Sequence, residues 1–307
     1  MSTQTLTLWR ILDDKPGHEK QTGGLMNALA DLVPLQSHDI PCPPRRHSWL
    51  NWPAGIFPPG AHLPKPDLIL LAGHATHVAG LAARRAHGGH LVTLMHPSLP
   101  CAWFDLCLIP EHDQPAAAAN VIVTRGALNA ARPGGAHHAD RGLILIGGPS
   151  EHYAWDDGVV VEQVRRIVST RADTQWRLST SRRTPESFAT RLAGICPANL
   201  ALFTPNQTAP GWVESALADA GQAWVTEDSV SMLYEALTAG CHVGLLRLPR
   251  LRTGRVARGV DKLIADGWVT PMENWDAGLC AAPPNATFYE AGRCARLILE
   301  KWFPNAA

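Results

Sequence analysis

Short apolar runs bounded by turn residues alternate along this chain with longer stretches of helical periodicity. In the first part, 6–12, 35–39, 67–72, 91–95, 105–109 and 121–124 predict strands, and 19–32 and 76–87 predict helices. A second series begins with a strand over 142–146 and a helix over 156–169. It continues with a strand over 174–180, a helix from Pro185, a strand over 200–204 and a helix from Gly211. A short strand over 223–225, a helix over 229–239 and a strand over 242–246 complete it. Strands that alternate with helices are the signature of an α/β architecture with parallel sheets. The stretch 130–140, AARPGGAHHAD, has no periodicity and separates the two series. The chain therefore reads as two doubly wound domains facing a cleft, 1–135 and 136–307, with a last helix that either stays with the second or packs back on the first. One segment breaks the rhythm: 41–66 is proline-rich, carries Arg45, Arg46, Trp49, Trp52 and Phe57, and is too irregular for one regular element, so it reads as an insertion or lid.

Composition narrows the class. With 307 residues, 46% hydrophobic and 18% charged, the chain is globular and large enough for two domains. Its 27 basic residues balance its 27 acidic ones, so no net field draws it to nucleic acid, and any anionic partner must be met locally. No apolar run reaches the roughly 20 residues that span a bilayer, and the N-terminus lacks the pattern of a secretory signal. Seven scattered cysteines without a C-x-x-C point to reduced thiols and a cytoplasmic setting.

Candidate chemistry sits where strands end, because the loops there line the ligand crevice of a doubly wound sheet. After the first strand comes Asp13-Asp14-Lys15-Pro16-Gly17-His18, which makes Asp14, Lys15 and Gly17 cleft-lining candidates. His18 reads either as a general base, its ordinary pKa being near 6.5, or as a capping, exposed histidine. His74, behind the strand 68–72, either lines the cleft or is a loop histidine. Gly147-Gly148-Pro149-Ser150 precedes a helix and reads either as a phosphate-binding turn or as a tight turn. Arg182 and Arg183 either clamp a diphosphate or form a solvated helix start. The segment 226–240 carries Ser229, Val230 and Ser231 at a helix start, with Glu235 among apolar neighbours where an unpartnered carboxylate would be costly. The serines could donate to phosphate oxygens and Glu235 could accept ribose hydroxyls. The pairs His74/His77 and His137/His138 lack matching ligands at metal spacing, and no Asp-x-Asp occurs, so no metal site is expected.

Five blocks in order, DDKPGHEKQTGGLMNAL, FDLCLIPEHDQP with NVIVTRGALN, LIGGPSEHYAWD, SRRTP and VTEDSVSMLYEALTAG, resemble the bacterial members of the mitochondrial fission (elongated mitochondria) family. That family is similar to GT-B glycosyltransferases, especially the peptidoglycan N-acetylglucosaminyl transferase. The resemblance implies two Rossmann-like domains, an acceptor-side one first and a nucleotide-sugar-binding one second. It implies His18 as catalytic base, Glu235 on the donor ribose, Gly147 to Ser150 on the donor, a UDP-type sugar as substrate rather than any cofactor, and an acceptor that could be lipid-linked. Pro16-Gly17 stands where the transferase has a longer glycine run. The plant namesake, a recruitment factor for a dynamin-like protein, implies a rival reading as a noncatalytic adaptor. The family also carries an epimerase label. A short-chain-dehydrogenase epimerase needs a Tyr-x-x-x-Lys pair, which none of Tyr153, Tyr234 and Tyr289 begins, so the sequence argues against that label. For the insertion 41–66, one expectation is contact with an amphiphilic acceptor or the inner membrane face, and the other is a covering loop on the sheet.

Overall fold

The computed structural model describes residues 5–194, 197–278, 280 and 287–306. The chain divides into two units, Met1–Ala130 with Tyr289–Ala307, and Ala131–Phe288. Each is a six-stranded, wholly parallel sheet covered by helices on both faces, a fold in which the strands themselves become continuous apolar runs.

In the first unit the strands are β1 (Leu6–Leu12), β2 (Leu35–Pro41), β3 (Leu68–Ala72), β4 (His90–Leu94), β5 (Leu106–Pro110) and β6 (Val121–Thr124), in the order β2-β1-β3-β4-β5-β6. Side chains alternate across β1: Leu6 and Leu8 join Leu25 and Leu29 of helix α1 (Pro16–Ala30) on one face. Trp9 and Ile11 join Leu81 and Ala82 of α3 (His77–His87) on the other. Helix α1 begins three residues before the expected 19, because Pro16 is suited to a helix's first turn, where no backbone donor is needed. The insertion contains a regular element that its prolines concealed, α2 (Arg45–Ala54), ended by Gly55 in the left-handed region at φ 67° and followed by a turn of 3-10 helix at Pro58–Gly60.

The second unit holds β7 (His138–Ile146), β8 (Gln175–Thr180), β9 (Leu200–Phe203), β10 (Ala220–Thr226), β11 (His242–Leu246) and the two-residue β12 (Thr270–Pro271), in the order β12-β11-β10-β7-β8-β9. Helices α4 (Asp157–Thr170) and α5 (Glu186–Ala193) cover one face. The other carries α6 (Trp212–Asp219), α7 (Val230–Ala239) and α8 (Arg255–Ala265). Strand β7 starts four residues before the expected 142, its pairing with β10 passing through a register shift between Ala220 and Gln222.

The division falls after Ala130 rather than after 135, since Gly135 already lies against the backbone of Ala218: a Cβ there would sit 2.1 Å from the Ala218 carbonyl oxygen. The last helix, α9 (Glu290–Trp302), belongs to the first unit, the second of the two placements that the sequence left open. Cys294, Ala295, Ile298 and Leu299 enter the core beside α1, Trp302 stacks flat on His90 at 4.1 Å, and Glu290 accepts from the Arg125 amide.

Candidate functional site

Each sheet reverses its strand order once, between β1 and β3 in the first unit and between β7 and β10 in the second. Beyond the carboxyl ends of such neighbouring strands the helices diverge and leave a crevice, the usual ligand position in this architecture. Both clusters of candidate residues lie at these two points.

At the first, Asp13 follows β1 and Gly73 follows β3. His18, in the first turn of α1, points its Nδ1 at both carboxylate oxygens of Asp13, 3.0 Å from each. Its ring lies over Gly73, where a Cβ would stand 2.3 Å from the imidazole Cε1, and Gly73 adopts φ 87°. Glycine is therefore required there twice, by the close approach and by the backbone. The Asp13 side chain is nearly buried at 4% exposure and that of His18 is 21% exposed. A buried carboxylate that accepts Nδ1–H fixes the tautomer and leaves Nε2 as the basic nitrogen. Burial, then the charges of His74 and His18, lowers the His77 pKa to about 4, so that ring is neutral and bonds Ser98 Oγ at 3.2 Å. Cys42, pushed up to about 11 by burial and by Asp13 and Asp14, is a thiol and no nucleophile at neutral pH. Asp14, Lys15, Gly17 and His74 are exposed around the pair, and a Cβ at Gly17 would meet nothing within 4 Å. Asp14 itself takes φ 59°, an uncommon conformation for a non-glycine residue and a sign of local constraint.

At the second, the Gly147 amide donates to Thr226 Oγ1 at 2.8 Å and the Gly148 amide to Asp228 Oδ2 at 3.0 Å. These amides, expected as free donors to a phosphate, thus already have acceptors inside the protein. The Asp228 side chain is fully buried, and Oδ2 also accepts from Arg183 at 2.8 Å and from Ser229 Oγ at 3.2 Å, whereas Oδ1 has no hydrogen-bond partner among the described residues. Arg183 further donates to the carbonyls of Gly148 and Pro149, both at 3.1 Å. The carboxylate thus ties the glycine turn to Arg183. Both glycines are forced by contact, since a Cβ at Gly147 would lie 2.2 Å from Ser229 Oγ and one at Gly148 would lie 2.3 Å from the Arg183 carbonyl oxygen. Ser150 turns away: its Oγ accepts from the amides of His152 and Tyr153 within its own loop. In α7, Ser229 is the N-cap, Val230 is half-buried, Ser231 is exposed and Glu235 is buried.

Arg182 points elsewhere, into a cavity of about 400 Å³ at the ends of β8 and β9, lined also by Thr180, Ser181, Thr184, Thr204 and Asn206. Ser181 and Thr184 both donate to the Gly147 carbonyl oxygen, so the cavity wall runs directly into the glycine turn. Next to Asp228 in sequence stands a second buried carboxylate, Glu227, held by Arg247 at 2.8 Å, by Arg250 at 2.6 Å and by the Leu248 amide. Asp261 completes the network by pairing with Arg250, and the two carboxylates hold the Arg250 guanidinium pKa above its ordinary value. Burial, with the charge of Glu227 next, pushes the Tyr153 phenol up to about 12.

Sequence reading missed Asp13, Asp228 and Glu227 as working residues. The first was legible as a carboxylate five residues before His18. The other two were quoted within their motif, but their partners are 80 and about 20 residues away.

Two Rossmann-like units, each a six-stranded parallel sheet with one reversal of strand order, give the two-domain architecture of the GT-B fold class. Solved structures agree on the fold. A putative UDP-N-acetylglucosamine 2-epimerase from Listeria monocytogenes superposes with a TM-score of 0.63, covering 96% of this chain and 95% of its own at 15% identity. The UDP-GlcNAc 2-epimerase of Methanocaldococcus jannaschii gives 0.59 at 11% identity, covering 96% and 100%. MurG of Acinetobacter baumannii gives 0.51 at 12% identity, covering 98% and 94%. No curated protein matches the chain. The family model for mitochondrial fission ELM1 matches residues 16–302, and the chain belongs to that family. The epimerase neighbours correct one step of the sequence argument: absence of the Tyr-x-x-x-Lys pair bears on the short-chain-dehydrogenase fold, whereas these epimerases have the fold seen here.

Proposed function

We propose that the second unit binds a nucleoside-diphosphate sugar of UDP type and that the protein is a metal-independent, inverting glycosyltransferase. The observation that carries the nucleotide reading is the continuity of the 400 Å³ cavity with the Gly147–Gly148 turn through Ser181 and Thr184. The base would fill the cavity beside Arg182, Glu235 would accept from the ribose, and the diphosphate would replace the Asp228 carboxylate on the Gly148 amide and Arg183. In the reaction, His18 Nε2 takes the proton of an acceptor hydroxyl. The oxygen forms a bond to the anomeric carbon as the bond to the diphosphate breaks. The leaving group keeps that electron pair, and its charge is met by arginine and backbone amides. Asp13 stabilises the imidazolium formed. The adaptor reading would leave His18, held by the nearly buried Asp13 carboxylate, without a chemical task, which favours the enzyme.

A second reading, rearrangement of the nucleotide sugar itself without an acceptor, takes its support from the two epimerase structures above. The two divide on one experiment. Incubation with UDP-N-acetylglucosamine alone, followed by NMR of the sugar, yields an altered sugar in the second reading and an unchanged one in the first, with release of UDP only when an acceptor is added.

A further inference from the structure

Helix α2 presents two adjacent rows to solvent, Arg45-Trp49-Pro53 and Arg46-Leu50-Ala54, each at the four-residue spacing that stacks side chains on one helix face. The opposite side buries Ser48 and packs on α3. Trp49 is 41% exposed, Leu50 71%, and Ile56 just beyond the helix 49%; Trp103 is 37% exposed. The Trp52 ring joins them, its centroid 5.9 Å from Trp49 and 5.1 Å from Trp103. Half of the eight large apolar residues exposed on the described surface fall in this one patch, a concentration that isolated surface hydrophobes do not produce. The segment 41–66 contains Arg45, Arg46 and Lys65 and no aspartate or glutamate. Arg85 of α3 lies against Gly55, 3.7 Å from where its Cβ would be.

From this we infer that the α2 face docks on an anionic lipid bilayer. Tryptophan and leucine side chains enter the interface between headgroups and acyl chains, and the arginines at the start of the helix meet lipid phosphates. A second copy of this chain fits less well, because a two-fold interface sets like patch on like patch and would bring cations against cations without an anion in the segment. The inference is independent of the nucleotide reading.

Cosedimentation with vesicles tests it. The protein is expected to bind vesicles of phosphatidylglycerol mixed with phosphatidylcholine, and to bind phosphatidylcholine alone at least tenfold more weakly. Trp49→Ser with Leu50→Ser should lower the partition coefficient more than tenfold. Arg45→Gln with Arg46→Gln, two substitutions at exposed positions, should lower it by roughly fivefold per arginine at low salt. UDP binding should be the same in all variants. Equal partitioning of the wild type and the arginine variant would overturn the inference, as would a dimer, seen in sedimentation equilibrium, that Trp49→Ser with Leu50→Ser abolishes.

Discussion

At the residue scale, two carboxylates set the behaviour of their neighbours. Asp13 aims and polarises His18, so His18→Ala is expected to lower kcat by about 10²-fold or more while leaving the affinity for UDP unchanged, as kinetics and calorimetry on the same preparation would show. A loss of UDP affinity at normal kcat would move His18 out of the base role. Asp228 accepts from the Gly148 amide and from Arg183, the two groups assigned above to the diphosphate of the proposed ligand. Asp228→Asn keeps an oxygen for the Gly148 amide and removes the competing charge, and it should tighten UDP binding by roughly tenfold, about 1.4 kcal/mol. Weaker binding in a variant of unchanged melting temperature would show that Asp228 supports the ligand rather than standing in for it. Asp13 was within reach of a sequence reading, five residues before His18, whereas Asp228 resembles any other loop carboxylate until the fold brings in the Gly148 amide from 80 residues away.

At the element scale, strand ends are where order is enforced. Glu227 ties the end of β10 to Arg247 and Arg250 behind β11. Glu227→Gln removes a fully buried negative charge that faces two arginines and should cost about 2 kcal/mol in chemical denaturation. His77, the first residue of α3, supplies a pH dependence. Its folded pKa of about 4 lies below the ordinary 6.5, so between these values the unfolded chain holds a proton that the folded chain does not. Stability is therefore full above pH 6.5 and falls as pH drops toward 4, by up to about 3 kcal/mol, and His77→Gln should flatten that part of the curve.

The elements themselves were unequally legible. Fully buried strands such as β3 and β5 declare themselves as unbroken apolar runs because both faces are covered. Helix α2 was hidden by Pro53 and the flanking prolines, and by an outer face whose tryptophan and leucine do not alternate with polar residues. Helix α9 has a plain apolar stripe, yet its home in the first unit depends on contacts with α1 more than 250 residues earlier, which periodicity does not encode.

At the scale of the whole molecule, the order of motifs along the chain carried more information than any one motif. The five blocks pointed to the family and the two-unit fold, and the family match over 16–302 and the two parallel sheets agree with them. The same reasoning failed when it tested the epimerase label against one fold's fingerprint, since a reaction can be housed on more than one scaffold. The central claim, that the second unit holds a nucleoside diphosphate, is tested most directly by thermal unfolding of the full chain with UDP. At about 100 times its dissociation constant the ligand should stabilise the protein by roughly 2.7 kcal/mol, and Glu235→Ala, by losing about 1.5 kcal/mol of ribose bonding, should remove much of that shift at the same UDP concentration. A melting curve unmoved by millimolar UDP or any other nucleoside diphosphate would contradict the account.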